Sequence, residues 1–214
     1  MVLVLSAPCL PGAEWTESFD AARPGTLPDG WSASKTGPGA SPRWEVVKDG
    51  SAPSPPGAFA QLSESPEDHR FPLAVRDDGP CRDGVLSVRF KPVSGRLDRA
   101  GGLVWRYRDP ENYYLVRANA LEDNVVLYKV EGGKRTSLAP IGTSPRTYGV
   151  KHKVPSGRWS ELRVGFEGPR FVVSFDGATL FEVEDRTFSE AGRVGVWTKA
   201  DSVTYFDDFR LSKK

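Results

Sequence analysis

The stretch that decides the fold runs from Gly101 to Arg117 and reads GGLVWRYRDPENYYLVR. Two runs of apolar and aromatic residues flank Asp109-Pro110, where proline lacks the N–H that a continuing strand needs, so the chain reverses there. Similar short runs follow, each bounded by Gly, Pro or Asp, over 124–130, 161–167, 170–175, 179–184, 193–198 and 203–211. This spacing predicts an all-β fold of two packed antiparallel sheets.

Weaker strand signals precede this stretch, over 15–20, 44–47, 58–62, 72–75 and 84–90. The region 21–57 is rich in Pro, Gly and Ser, which predicts mostly turns and loop. Asp176-Gly177 separates two apolar runs and predicts a two-residue type I′ hairpin. We expect the first strand to pair near the last, because this closes the sandwich and protects its edges.

Composition excludes several classes of protein. The chain has 214 residues, with 29 Lys and Arg against 28 Asp and Glu. The net charge of +1 and the scattered charges give no basis for a nucleic-acid partner. No stretch is apolar for long enough to insert into a membrane. Residues 14–214 are predicted to form a single domain, which is a usual length for one large sandwich.

Residues 1–13, MVLVLSAPCLPGA, are similar to the end of a secretory signal, with an apolar run and small residues before Glu14. They lack a basic start, so two interpretations stay open: a truncated signal segment or an ordinary beginning of the chain. We favour an exported bacterial protein, periplasmic or extracellular. Cys9 and Cys81 are the two cysteines, and whether they pair is left open.

Two carboxylate pairs are candidates for chemistry. Glu182 and Glu184 stand two residues apart on one strand, so they share a face about 7 Å apart, as glycoside hydrolysis could use. The alternative is a solvated face opposite Phe181 and Val183, which we favour. Asp20 and Asp207 lie near the two ends of the fold and are predicted to hold a structural Ca²⁺, or to accept backbone hydrogen bonds. No cofactor is required by either interpretation.

A set of polar and aromatic residues in the second half of the chain is predicted to bind a ligand. Sugars are held by aromatic stacking together with polar side chains, among which arginine supplies a rigid planar fork. The predicted ligand contacts are Arg106, Asn112, Tyr114, Arg117, Trp197, Lys199 and Asp201. The alternative is that the aromatic residues pack in the core and the charged ones face solvent. Lys199 and Asp201 are also weak catalytic candidates, because they fall in a loop at the rim.

Three segments carry a family resemblance: the opening stretch, 159–177 (WSELRV and then FDG), and 192–209 (GRVGVWTKADSVTYFDDF). Together they resemble the concanavalin A-like jelly-roll domains related to the 3-keto-disaccharide hydrolase (DUF1080) group. That group is similar in fold to family 16 glycoside hydrolases. The resemblance covers 15–211, and it implies a jelly-roll sandwich without fixing an activity, since this fold hosts enzymes and binding modules alike.

Three functions follow as hypotheses. The first is an exported, non-catalytic carbohydrate-binding module that holds a saccharide on the concave sheet face. The second is a glycoside hydrolase, or an enzyme of lyase-like activity on a keto-sugar, of the 3-keto-disaccharide type. The third is a structural or protein-interaction module without a small ligand. We favour the first, because the family 16 pattern Glu-x-Asp-x-x-Glu is incomplete at Glu182–Thr187 and hydrolysis needs a positioned acid and base.

Overall fold

The computed structural model describes residue 12 and residues 14–214, and in these residues it contains strands and connections but no helix. The strands are β1 Glu14–Glu17, β2 Trp31–Thr36, β3 Trp44–Lys48, β4 Gly57–Gln61, β5 Phe71–Arg76, β6 Gly84–Ser94, β7 Ala100–Asp109, β8 Asn112–Asn119, β9 Asn124–Glu131, β10 Lys134–Leu138, β11 Val150–Lys151, β12 Ser160–Glu167, β13 Arg170–Phe175, β14 Ala178–Glu184, β15 Arg193–Trp197 and β16 Val203–Lys213. No part of the described chain forms a helix that could cross a membrane.

The strands form two antiparallel sheets. Sheet A has the order β14-β13-β12-β6-β16-β4-β3, with β1 also paired to β16. Sheet B has the order β10-β9-β8-β7-β15-β5-β2, with β11 also paired to β9. Strands from distant parts of the chain therefore lie side by side in each sheet, as in a jelly roll. The predicted two-sheet antiparallel sandwich is confirmed.

Two local predictions are also confirmed. The first strand pairs with the last, with Trp15 opposite Leu211. Asp176 and Gly177 both have positive φ angles, 45° and 81°, as a type I′ turn requires.

The loop predicted for 21–57 is wrong at one place, because β2 lies inside it and pairs with β5. Its sequence, WSASKT, carries few apolar residues because it is the edge strand of sheet B and its middle faces solvent. The proposed signal segment and Cys9 fall outside the described residues, apart from Gly12. Cys81 is buried, and its thiol donates to the carbonyl oxygen of Asp83 at 3.2 Å.

The main hydrophobic core lies between the sheets and draws on both. Leu86, Val88 and Phe90 alternate along β6 and face it, as their spacing predicts. From sheet B, Trp105 packs edge-on against Phe171 of sheet A, with ring centroids 5.3 Å apart.

A second apolar layer covers the outer face of sheet B. Its members come from β5, β7, β8, β9 and β15, and they alternate along each strand with residues of the main core. We call this set the outer layer; it comprises Phe71, Leu73, Val75, Ala100, Val104, Tyr107, Tyr113, Leu115, Val126, Tyr128, Val130 and Trp197. Sheet B is therefore buried on both faces, although a two-layer sandwich needs to bury only one.

Gly195 offers a test of this packing. It lies on β15, and a Cβ there would stand 2.2 Å from the carbonyl oxygen of Ala74. Backbone cannot yield as a side chain end can, so we expect Gly195→Ala to destabilise the protein by about 1–3 kcal/mol in urea unfolding. Gly165→Ala is the matched control on β12, where the nearest atom lies 4.0 Å away. Equal stability of the two variants would contradict this account of sheet B.

Candidate functional site

Arg106 is held by the protein itself. Its φ of 47° marks a bulge in β7, and its guanidinium is buried at the edge of the core. Nη1 donates to the carbonyl of Phe188 at 2.7 Å, and Nη2 donates to the carbonyl of Gly168 at 2.7 Å. Further bonds reach the Arg82 carbonyl at 3.1 Å and Asp83 at 3.2 Å. These four bonds make Arg106 a clamp between connections, and its predicted role in ligand binding stays a prediction.

The polar groups of Tyr114 and Asn112 are also bonded within the protein. Tyr114 points into the main core, where its hydroxyl donates to Asp185 at 2.6 Å and accepts the N–H of Phe188 at 3.0 Å. Burial raises the pKa of Tyr114. The Asn112 amide donates to Asp109 at 3.0 Å, which fastens the β7–β8 turn. These two residues serve packing and turn structure, and neither lies beside Arg117.

Arg117 stands on the outer face of sheet B and anchors a polar network. Its side chain is 1% exposed. Nη2 donates to Glu122 at 2.9 Å and to the hydroxyl of Tyr148 at 3.2 Å. Nη1 lies 3.6 Å from Asp98. Burial opposes ionisation, yet the hydrogen bond and charge of Arg117 lower the pKa of Glu122 to about 2.

Lys199 lies in the same network. Its Nζ is 2.5 Å from Asp98 and 2.5 Å from Asp68, which places one cation between two carboxylates. Burial disfavours its charged form, but both carboxylates overcome this effect, and the pKa of Lys199 is raised. The pKa of Asp98 is also raised, because burial outweighs its bonds to Lys199 and the charge of Arg117.

These groups form one site, which we call the Asp98 cluster: Asp68, Asp98, Arg117, Asn119, Glu122, Asn124, Tyr148 and Lys199. The side chains differ sharply in accessibility: that of Asp98 is 2% exposed, whereas those of Glu122 and Asp68 are 40% and 62% exposed. The cluster therefore has a buried ionic floor and an open polar rim.

Trp197 lies near the cluster but below the surface. It is fully buried in the outer layer, stacked on Phe71 with centroids 5.6 Å apart. The guanidinium carbon of Arg135 lies 5.7 Å from its ring. The prediction that the Trp197 ring contacts a ligand is therefore corrected, because the outer layer covers the ring.

Asp201 supports the cluster from behind. Its carboxylate accepts the backbone N–H groups of Arg96 at 2.6 Å, Leu97 at 3.1 Å and Asp98 at 3.0 Å. Burial opposes ionisation, but these bonds lower the pKa of Asp201. Its two oxygens are thus committed to the turn that presents Asp98, which leaves it poorly placed for catalysis.

Glu182 and Glu184 lie on β14, at the edge of sheet A, and belong to a different sheet from the Asp98 cluster. Glu182 accepts from Arg170 at 2.9 Å, and Glu184 accepts from Arg186 at 2.7 Å. Both pairs are on the surface.

Asp207 and Asp20 face the segment that leads into β4. The carboxylate of Asp207 is buried and accepts the N–H groups of Ser54 at 2.8 Å and Asp208 at 2.7 Å, while Asp20 accepts from Gly57 at 2.8 Å. Burial raises the pKa of Asp207 to about 6. Within residue 12 and residues 14–214, no three His, Cys, Asp or Glu side chains are grouped to hold a metal ion.

Sequence reasoning missed seven residues of this face: Asp68, Asp98, Asn119, Glu122, Asn124, Arg135 and Tyr148. Asp68, Asp98, Glu122 and Tyr148 lie in connections between strands, and Arg135 lies on a short strand that was not predicted. No spacing links them in the sequence. The signal available was a set of charged and aromatic residues flanking β8, which carries Arg117, and the connection between β15 and β16, which carries Lys199.

Solved structures share this fold. The carbohydrate-binding module CBM66 from Bacillus subtilis is 19% identical, with a TM-score of 0.63 over 85% of this chain and 94% of that one. The cellulose-induced protein Cip1 is 12% identical, with a TM-score of 0.63 over 94% and 97%. Domain 4 of AbnA, an extracellular GH43 arabinanase from Geobacillus stearothermophilus solved with arabinotriose, is 13% identical, with a TM-score of 0.55 over 94% and 91%. Neither a family model nor a curated protein sequence matches the chain.

Replacing Asp201 tests whether its carboxylate stabilises the 96–98 turn. Asp201→Asn loses the charge that holds three backbone N–H groups, so we expect about 1–3 kcal/mol of destabilisation at pH 7 in urea unfolding. Because the pKa of Asp201 is lowered in the folded state, this stabilisation is present above its ordinary pKa and is lost as pH falls below it. Glu184→Gln, which removes a surface pair, is the control and should change little. An equal loss of unfolding free energy in both variants would contradict this role of Asp201.

Asp207 should make stability depend on pH in the opposite direction to Asp201. Its folded-state pKa is raised to about 6, so the folded protein keeps a proton that the unfolded chain releases near pH 4. Stability from this group is therefore full in acid and is lost as pH rises from about 4 to 6. Relative to Asp207→Asn, the wild type should lose up to about 3 kcal/mol over this window, measured by urea unfolding. A difference between the two proteins that does not change with pH would refute the shift.

Proposed function

We propose that this protein is a non-catalytic carbohydrate-binding module and that the Asp98 cluster holds the saccharide. The observation that carries the proposal is the buried carboxylate of Asp98, fixed between Lys199 and Arg117 beneath a rim that stays open. A binding site of this kind needs polar groups in fixed positions, and ion pairs with little freedom provide them.

The chemistry of the cluster suits hydroxyl groups. Carboxylates accept from a sugar hydroxyl, while ammonium, guanidinium and amide groups donate to it, so neighbouring hydroxyls can each meet a partner. Tyr148 is 48% exposed and supplies an aromatic ring beside these groups. A pyranose or furanose has one apolar face and hydroxyl edges, which match a ring next to charged side chains.

The fold comparisons support this proposal without deciding it. Two proteins of the same fold are described as a carbohydrate-binding module and as an arabinanase domain in complex with arabinotriose. An extracellular setting, which we propose for this chain as well, is stated for the arabinanase.

The absence of catalysis is part of the proposal. A glycosidase needs one carboxyl that donates a proton and another that stays available. Here Asp201 is committed to three backbone N–H groups, and Glu122 is held ionised by Arg117. The relation to the 3-keto-disaccharide hydrolase group stays a prediction from sequence resemblance.

A glycan array carrying neutral and acidic oligosaccharides tests the proposal, followed by calorimetry on the hits. Asp68→Ala and Tyr148→Ala change rim groups that are exposed, so we expect both variants to fold and to bind about 10-fold or more weakly, as loss of a hydrogen bond to a charged group predicts.

Trp159→Ala is the matched control. Trp159 is a partly exposed aromatic residue that directly precedes β12 of sheet A, and the Nζ of Lys91 lies 5.1 Å from its ring. The control should bind as the wild type does. Binding lost in Trp159→Ala and retained in the rim variants would move the site to sheet A, and no binding to any glycan would refute the function.

A further inference from the structure

We infer that Arg135 makes this a site for acidic saccharides, in which its guanidinium binds the carboxylate of a uronic acid. The inference rests on the proposed function and names the class of saccharide. Arg135 lies next to the Asp98 cluster but forms no hydrogen bond or ion pair with its members.

Arg135 lies on the edge strand β10 and covers part of the outer layer. Its guanidinium carbon stands 4.5 Å from the ring centroid of Phe71, 4.6 Å from that of Tyr128 and 5.7 Å from that of Trp197. Cation–π contact with the three rings fixes the position of the guanidinium. Arg135 and Arg117 share the Tyr128 ring, because the guanidinium carbon of Arg117 lies 5.8 Å from the same centroid.

The hydrogen-bonding capacity of Arg135 is unused. Among the described residues, its Nη1 is buried and has no partner, and no carboxylate approaches the group within ion-pair distance. A buried donor without an acceptor costs about 1–3 kcal/mol, and more when it is charged. A ligand cannot reach the buried Nη1, but it can reach Nε and Nη2 of the same guanidinium, which are not buried and have no partner among the described residues.

The neighbouring carboxylates are not available to it. Asp98 and Asp68 share Lys199, and Glu122 is bound by Arg117. The charge of Arg135 helps to lower the pKa of Asp68, but no acid among the described residues forms an ion pair with Arg135, so the carboxylate that pairs with it directly is assigned to a ligand. Arg193 shows the contrast, since it lies 5.0 Å above the Tyr107 ring on the same face yet is paired with Asp77 at 3.3 Å.

The geometry of the guanidinium selects the ligand group. A planar fork of N–H donors matches a planar carboxylate through two parallel hydrogen bonds, and such charge-assisted bonds are about twice as strong as neutral ones. A sugar seated on the Asp98 cluster would place its carboxylate over the rings, toward Arg135. Neutral sugars would leave the Arg135 donors unmet, so the site should discriminate against them.

The test compares trigalacturonate with its methyl ester, which has the same backbone without the negative charge, by calorimetry on the full chain. We expect the wild type to prefer the acid. Arg135→Ala should weaken binding of the acid about 10- to 100-fold and leave the ester unchanged, so the preference disappears. Arg135→Lys keeps the charge without the fork and should fall between the two. Arg193→Ala is the control and should keep the preference.

The outcomes separate the two proposals. Saccharide binding on the array with no preference for acidic glycans, or a preference that survives in Arg135→Ala, overturns the role of Arg135 and leaves the proposed function standing. A preference confined to sulfated glycans also overturns the uronic acid assignment. Absence of binding to every glycan overturns both. Thermal unfolding of each variant confirms that Arg135, a partly buried side chain on an edge strand, was removed without loss of the fold.

Discussion

Burial of charge beside sheet B is the constraint on which the site depends. The sheet carries an apolar layer on each face, so any charged group at its border loses water. Asp98, Lys199 and Arg117 meet this constraint together, because each has an opposite charge within reach. Breaking one pair would leave the other charge buried, which costs more than the pair itself contributes. The buried ion pairs therefore hold the side chains of the cluster in fixed positions, and a recognition site needs such fixed polar groups.

A bulge in β7 decides which residues reach this face. Strict alternation would place Trp105 and Tyr107 on the same side, yet Trp105 lies in the main core and Tyr107 in the outer layer. The positive φ of Arg106 absorbs the extra residue and turns its side chain toward the carbonyls that it binds. As a result, Tyr107 joins the outer layer, and Arg106 does not belong to the Asp98 cluster.

The sequence predicts far more of the fold than of the site. Alternation along β6 and the turn at Asp176-Gly177 follow from local chemistry, and both are found. β2 escapes prediction because an edge strand needs few apolar residues. The site escapes because its acids, Asp68, Asp98 and Glu122, lie in separate connections that only the strand order of the sheets brings together. Trp197 was predicted to contact a ligand, and it does lie on the outer face of sheet B, but its neighbours in the outer layer bury its ring.

The position of β16 has a consequence for biosynthesis. This strand pairs with β1, β4 and β6, which are all made long before it. Until residues 203–213 leave the ribosome, those three strands have open edges and sheet A has no centre. Sheet A can therefore be completed only after residues 203–213 have been made, and until then the edges of β1, β4 and β6 that pair with β16 are open to aggregation.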